Sequence, residues 1–182
     1  PKEVLLPMNM HSGSPAEPIV AVGDAVRVGQ LIAKPGEGMS CPVHATVSGT
    51  VTGIEEVRSA NGGKDTLVVI ETDKLQEVYE GIEVPVSNDL PEFVKAIRAS
   101  GLVGLGGASF PTHIKFNPKN IDAVHTLIVN AAECEPFITS DHRNMLERTD
   151  DIVSGIKLIM KYLDISTCYI GIENNKPDAI LK

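Results

Sequence analysis

The chain has 182 residues, 42% apolar and 22% charged, with a formal net charge of −8. That length holds one large domain or two small ones, and the acidic balance argues against partners that need a basic face, nucleic acid and anionic membrane among them. No apolar run approaches the roughly 18–20 residues needed to span a bilayer, so direct membrane insertion is not expected.

Residues from about 18 to 71 read as β. IVAVGDAVRVGQLIA alternates apolar and polar residues around Gly23-Asp24 and Gly29, and ATVSGTVTGIEEV repeats the pattern around Gly49 and Gly53. Asn61-Gly62-Gly63 makes a turn into the strand TLVVIE. Short strands at this spacing suggest a small barrel or sandwich. The order of segments resembles the biotinyl/lipoyl carrier fold, a barrel-sandwich hybrid. In a carrier a lysine sits at the hairpin tip; here that register holds Gly38, with Lys34 nearby but out of place. An unmodified docking or scaffolding module is the reading that remains.

Residues 74–89 look like a connection. From Leu90 the period becomes helical: PEFVKAIRASG has Phe93, Val94 and Ile97 on one face, Pro91 in its first turn and Gly101 as its stop. HTLIVNAA reads as a buried strand. Ser140 or Asp141 is a candidate cap for the helix that follows, whose apolar face is Ile152, Ile156, Ile159 and Leu163. TCYIGIE is a further strand, and Pro177 suits the first turn of a last helix. Alternating strands and helices predict parallel pairing with a right-handed crossover. The expected organisation is α+β and multidomain: a β module over 1–80, then a partial α/β, Rossmann-like module over 81–182. The chain opens at Pro1 and closes at Lys182 as a helix begins, so it reads as an N-terminal fragment of something longer.

Two loops carry the chemistry. GLVGLGGASFPTHIKF, residues 101–116, sets four glycines and a proline before Lys115, and exposed backbone N–H groups beside a cation suit a phosphate. It is neither a Rossmann fingerprint, because a helical segment precedes it and Ser109 follows Gly104 and Gly106, nor a Walker A loop, because Gly-Lys-Ser/Thr is absent. The second loop, NAAECEP from Asn130, follows the buried-looking strand, at the strand end where α/β sheets place ligands. Together they suggest a nucleotide or flavin site. Cys41, Cys134 and Cys168 form no CxxC pair, and the five histidines show no ligand spacing, so no metal site and no catalytic side chain is assigned.

The pair GLVGLGGASFPTHIKF and VNAAECEPFITSDHR resembles the FMN- and NADH-binding flavoprotein subunit of respiratory complex I, and is more similar still to the RnfC family, one of the subunits of the Rnf electron-transport complex. HSGSPAEPIVAVGDAVRVGQ and PVHATVSGTV are similar to the start of that same family's proteins, so the resemblance covers nearly the whole chain. It implies FMN and NAD(H) as cofactors. Gly104, Gly106 and Gly107 then fall where backbone approaches the ligands, Lys115 and Asn130 at flavin contacts, and Phe110 at an aromatic that stacks on adenine. Glu133 and Glu135 match an acidic pair, Glu135 being the better candidate to bind ribose hydroxyls and repel a 2′-phosphate. The competing role for such a carboxylate is to cap the next helix. Val103, Leu105, Ala132 and Cys134 depart from the complex I pattern and lean toward the Rnf branch, and Ser109 replaces a usual glycine.

The resemblance further implies a parent protein that passes electrons between NAD(H) and FMN and on to 4Fe-4S clusters held beyond this chain. Its partners would be the other subunits of a membrane-bound, ion-translocating NADH:ferredoxin oxidoreductase, with ferredoxin reached indirectly. Its place would be cytoplasmic, peripheral on the inner face of a bacterial membrane. The alternatives are a non-catalytic docking module of a redox complex, or a related subunit of a soluble reductase.

Overall fold

The computed structural model describes residues 1–59, 62–105 and 107–182, which form two compact units, Pro1–Asn117 and Pro118–Lys182. Asn61 of the expected turn and Gly106 of the glycine loop lie outside the described residues.

In the first unit the β-branched, alternating segments pair as two antiparallel sheets. One joins β1 (Glu3–Pro7), β7 (Lys64–Thr72), β6 (Gly49–Arg58) and β3 (Ala25–Val26) in that spatial order. The other joins β2 (Glu17–Pro18), β4 (Leu31–Lys34) and β5 (Val43–His44). The core draws on both sheets: Met8, Ile32, Val51, Val68 and Ile70 are fully buried. Strand β1 precedes the region that alternation marks as β. Its EVLLP segment carries no period-two signal, and the pairing of Leu5 and Leu6 with Val69 and Val68 of β7 selects it.

The connection after β7 stays irregular but is tied down. Ser48 Oγ donates to Asp73, the amide of Glu77 donates to Ser48, and Val28 and Val78 form a parallel bridge. Helix α1 (Leu90–Ser100) follows. Asp89 accepts from the amide of Glu92 at its N-terminus, Pro91 lies in the first turn, and Phe93 is its buried residue. Gly101 closes it with φ 71°, its amide bonded to the Arg98 carbonyl. A short helix α2 (Thr112–Lys115) ends the glycine loop.

The second unit has a parallel pair, β8 (Thr126–Ala131) with β9 (Thr167–Ile172). Between them run α3 (Ser140–Glu147) and α4 (Thr149–Leu163), and α5 (Pro177–Leu181) follows, with Pro177 in its first turn. The capping expectation for α3 is corrected. Ser140 and Asp141 are its first residues rather than its cap, Thr139 at the cap position makes no side-chain bond, and Glu133 from the preceding loop takes over the task.

Candidate functional site

The glycine loop is closed at its base and open at its tip. Gly101 is required where α1 ends, because a Cβ there would meet the Pro42 carbonyl at 2.7 Å in a left-handed backbone. The amide of Thr112 then donates to Leu102 (3.0 Å) and that of Gly104 to Phe110 (2.9 Å), with Val103 bridging Pro111. Pro111 is fully buried, which anchors the returning limb. Residues 105 and 107–109 lie beyond this ladder, and Leu105 is 93% exposed.

Five predicted residues belong to this loop, four of them among the described residues. Gly104 and Lys115 come together: the Lys115 amine lies 3.8 Å from where a Cβ of Gly104 would sit. Around Gly107 a Cβ would meet nothing within 4 Å, so that face of the backbone is open. Lys115 is exposed and forms no ion pair among the described residues. Phe110 is half-buried; its carbonyl closes the loop. Behind the loop, His113 faces the buried Cys41 thiol (Nδ1 to Sγ, 3.8 Å). Burial, and then the nearby Arg98 charge, lower the pKa of His113, while burial raises that of Cys41.

The other three predicted residues belong to the second unit. Asn130 is exposed near the C-terminal end of β8, and its side-chain oxygen accepts from the amide of Ala132 (3.1 Å), which bends the chain out of the strand. Glu133 turns inward. Its carboxylate accepts from the amides of Asp141 (2.8 Å) and His142 (3.3 Å), the Ser140 hydroxyl (3.3 Å) and the Lys176 amine (3.4 Å). Burial opposes its charge, but these donors outweigh that and hold its pKa below the ordinary value. Glu135, two residues on, is exposed.

Sequence reasoning missed Lys176 as the partner of Glu133. Forty-three residues separate them, and no local pattern links a lysine before Pro177 to a carboxylate in NAAECEP. It also gave no sign of a recess of about 590 Å3 in the first unit, lined by Tyr79, Ile82, Ala96 and Ala99 among others, which none of the predicted site residues lines. In the barrel module the carrier register holds Gly38 with open space around it, while the Lys34 amine is engaged by Glu17 at 2.9 Å.

Two families match. Residues 1–75 match the RnfC barrel sandwich hybrid domain, and residues 97–182 match the Nuo51 FMN-binding domain. Among curated relatives, the chain is 42% identical to the C subunit of the proton-translocating ferredoxin:NAD(+) oxidoreductase complex of Clostridium ljungdahlii, over 99% of this chain and 40% of that protein. It is 41% identical to the Na(+)-translocating counterpart of Acetobacterium woodii, over 99% of this chain and 41% of that protein. It is 39% identical to the C subunit of the ion-translocating oxidoreductase complex of Pseudomonas aeruginosa, over 97% of this chain and 23% of that protein. The chain therefore spans about two fifths of the length of the first two relatives.

Proposed function

The chain belongs to the RnfC family, and on that footing we propose that it supplies part of an FMN site in an NAD(H)-linked electron-transfer subunit. The observation that carries this reading is the glycine loop, whose base is locked by backbone bonds with the Lys115 amine beside Gly104, free of ion pairs among the described residues, while the backbone at Gly107 stays open. Such a loop fits a phosphate-bearing cofactor: the backbone around Gly107 leaves room for close approach, and the lysine supplies the counter-charge. When bound, the flavin supplies a ring that exchanges hydride with a nicotinamide.

The chain's own residues bind and orient. Gly104, Gly106 and Gly107 admit the ligand to the backbone, and Lys115 neutralises it. Asn130, whose oxygen already serves Ala132, has its NH2 group to donate. Glu133 contributes through the shape of its loop, since its oxygens are occupied by four protein donors. Glu135 is the exposed carboxylate suited to ribose hydroxyls, and Phe110 offers a ring for adenine.

The module boundary in this reading is 1–80 and 81–182, which the extents of the two family matches support. The parallel β8–β9 pair with helices between its strands supports a Rossmann-like reading of the second module. In the whole protein, electrons would pass from FMN to iron–sulfur clusters outside this chain and on through other subunits of an ion-translocating complex, ferredoxin being reached through them. No helix among the described residues is long and apolar enough to cross a membrane, and attachment from the cytoplasmic side through partner subunits is the arrangement proposed. A docking role is favoured for the barrel module itself by one observation: its hairpin carries no lysine at the carrier position.

The experiment is an FMN titration of the full-length protein followed by flavin fluorescence quenching, with Lys115→Ala in parallel. Saturable one-to-one binding is expected, weakened by about 1.5–3 kcal/mol in the variant, the worth of one charged hydrogen bond. Absence of saturable binding, or equal affinity in Lys115→Ala, would refute the reading.

A further inference from the structure

We infer that the barrel module holds the glycine loop in its ligand-ready shape, and that Ser12 is the positioning residue which does so. This rests on the reading of that loop as the flavin site. Ser12 lies ninety-six residues before Ala108, yet its hydroxyl donates to the Ala108 carbonyl (2.5 Å) and its amide to the Ser109 carbonyl (3.2 Å). These are the bonds that reach the loop's tip from the barrel, beyond the ladder that closes its base.

The segment that carries Ser12 is itself fixed. His11 is buried, and its Nε2 accepts from the amide of Cys41 at 3.1 Å. The same Nε2 lies 3.1 Å from the Cys41 carbonyl and Nδ1 lies 3.2 Å from the Ser12 carbonyl, so the ring is tied to the Cys41 backbone in either tautomer. On the other side the amide of Ser14 donates to the Met39 carbonyl at 2.8 Å. Between them Gly13 has φ 107°, and a Cβ there would lie 2.0 Å from the same Met39 oxygen, so the chain passes too close for any side chain. Ser12 is thus offered to the loop from a rigid turn.

What the clamp does follows from the planarity of the peptide. In a trans peptide the N–H points opposite to the C=O of the same unit. Turning the carbonyls of Ala108 and Ser109 toward Ser12 therefore turns the amides of Ser109 and Phe110 away from it. Neither amide donates to a protein acceptor among the described residues. Ser109 is held at φ 49°, a left-handed conformation that a serine keeps only where its surroundings impose it. Two adjacent N–H groups turned the same way, with no acceptor among the described residues, suit an anion. Without the clamp the loop would sample other conformations, and apparent affinity would fall by the fraction of time it is competent.

The test compares Ser12→Ala, Ser12→Thr and Lys115→Ala in the full-length protein, with FMN as the probe. Ser12→Ala should weaken FMN binding about 3–10-fold, the worth of one neutral hydrogen bond. It should also raise amide exchange over residues 105–110 of the unliganded protein, with the melting temperature unchanged. Ser12→Thr keeps the hydroxyl and should restore both readouts. If Lys115→Ala weakens binding but Ser12→Ala does not, the clamp is wrong and the flavin reading stands. If neither variant alters affinity, the flavin reading falls and the clamp's function with it. Weakened binding in Ser12→Ala that threonine does not rescue, or that follows a drop in barrel stability, would also overturn the proposal.

Discussion

The two loops that hold the predicted site residues, one in each unit, are shaped by different forces. Residues 101–116 take their form from neutral backbone contacts: a closed ladder, a buried proline and Gly101 at the point where the chain passes too close for a side chain. The loop after β8 is organised around one charged group, with the Glu133 carboxylate gathering the start of α3 and the Lys176 amine before α5. The units around them differ in the same way. The first has a continuous apolar core drawn from both sheets, whereas in the second α4 buries no residue and Ile128 and Tyr169 on the parallel strands are 71% and 64% exposed. A unit with a core can hold a loop by shape alone. A unit with little core depends on a polar hub, and inherits that hub's sensitivity to charge.

The contrast is broken most forcefully at Gly13. Gly13→Ala forces a side chain against the Met39 carbonyl in a backbone that alanine avoids, and should destabilise the first unit by about 3–4 kcal/mol. Urea unfolding followed by amide exchange would read this as lost protection in β4, β6 and β7. Protection in β8 and β9 should be retained. Equal loss in both sets of strands would mean that the two units unfold as one, and the contrast would fail.

Glu133→Gln probes the opposite principle. The amide keeps the shape but removes the charge that offsets Lys176, and an NH2 then replaces one acceptor oxygen among the donors at the start of α3. Exchange at Asp141 and His142 should rise and the second unit should melt earlier, with the first unit unaltered. Unchanged protection at those two amides would show that the carboxylate is not the organiser of this loop.

Elements with a local signature were legible in the sequence: α1 from Pro91 and Gly101, α4 from its isoleucine face, β8 and β9 from their apolar runs, and a module of short strands from alternation around turn glycines, its barrel-sandwich form following only from resemblance. Strand β1 was not, because its partner β7 lies far along the chain and a five-residue run carries no period of its own. The candidate site is proposed from two loops whose motifs stand out in the sequence, but their supports do not. Ser12, Lys176 and the Cys41–His113 contact act across long separations that no spacing rule encodes.

Acid should separate the units more gently. Burial lowers the pKa of His44, and burial together with the Arg98 charge lowers that of His113. Histidines with depressed folded pKa values add stability that is complete above the ordinary value near 6.5 and is lost as pH falls through the folded values. The first unit should therefore begin to loosen in mildly acid solution. The pKa of Glu133 is also depressed, so its contribution is complete above the ordinary carboxylate value near 4.5 and is lost only below it. Urea midpoints read separately for the two units at pH 7.5 and 5.5 should fall for the first and hold for the second. Gln at both histidine positions should flatten the first unit's response; a parallel fall in both units would contradict the assignment.

The smallest effect is expected at Glu135, and it tests the comparison inside a single loop. Glu133 and Glu135 stand two residues apart with the same chemistry, yet one is saturated by protein donors and the other faces solvent. Only an unsaturated carboxylate can accept from ribose hydroxyls or repel a 2′-phosphate. Because Glu135 is exposed, water and salt screen that repulsion, and its worth is about 0.5–1 kcal/mol. Glu135→Gln should accordingly reduce the NADH-over-NADPH ratio of kcat/KM only a few-fold in the full-length protein, and the difference from the parent should shrink at high ionic strength. A ratio that moves in Glu133→Gln but not in Glu135→Gln would exchange the two roles, making the buried hub the nucleotide's partner and the exposed carboxylate a bystander.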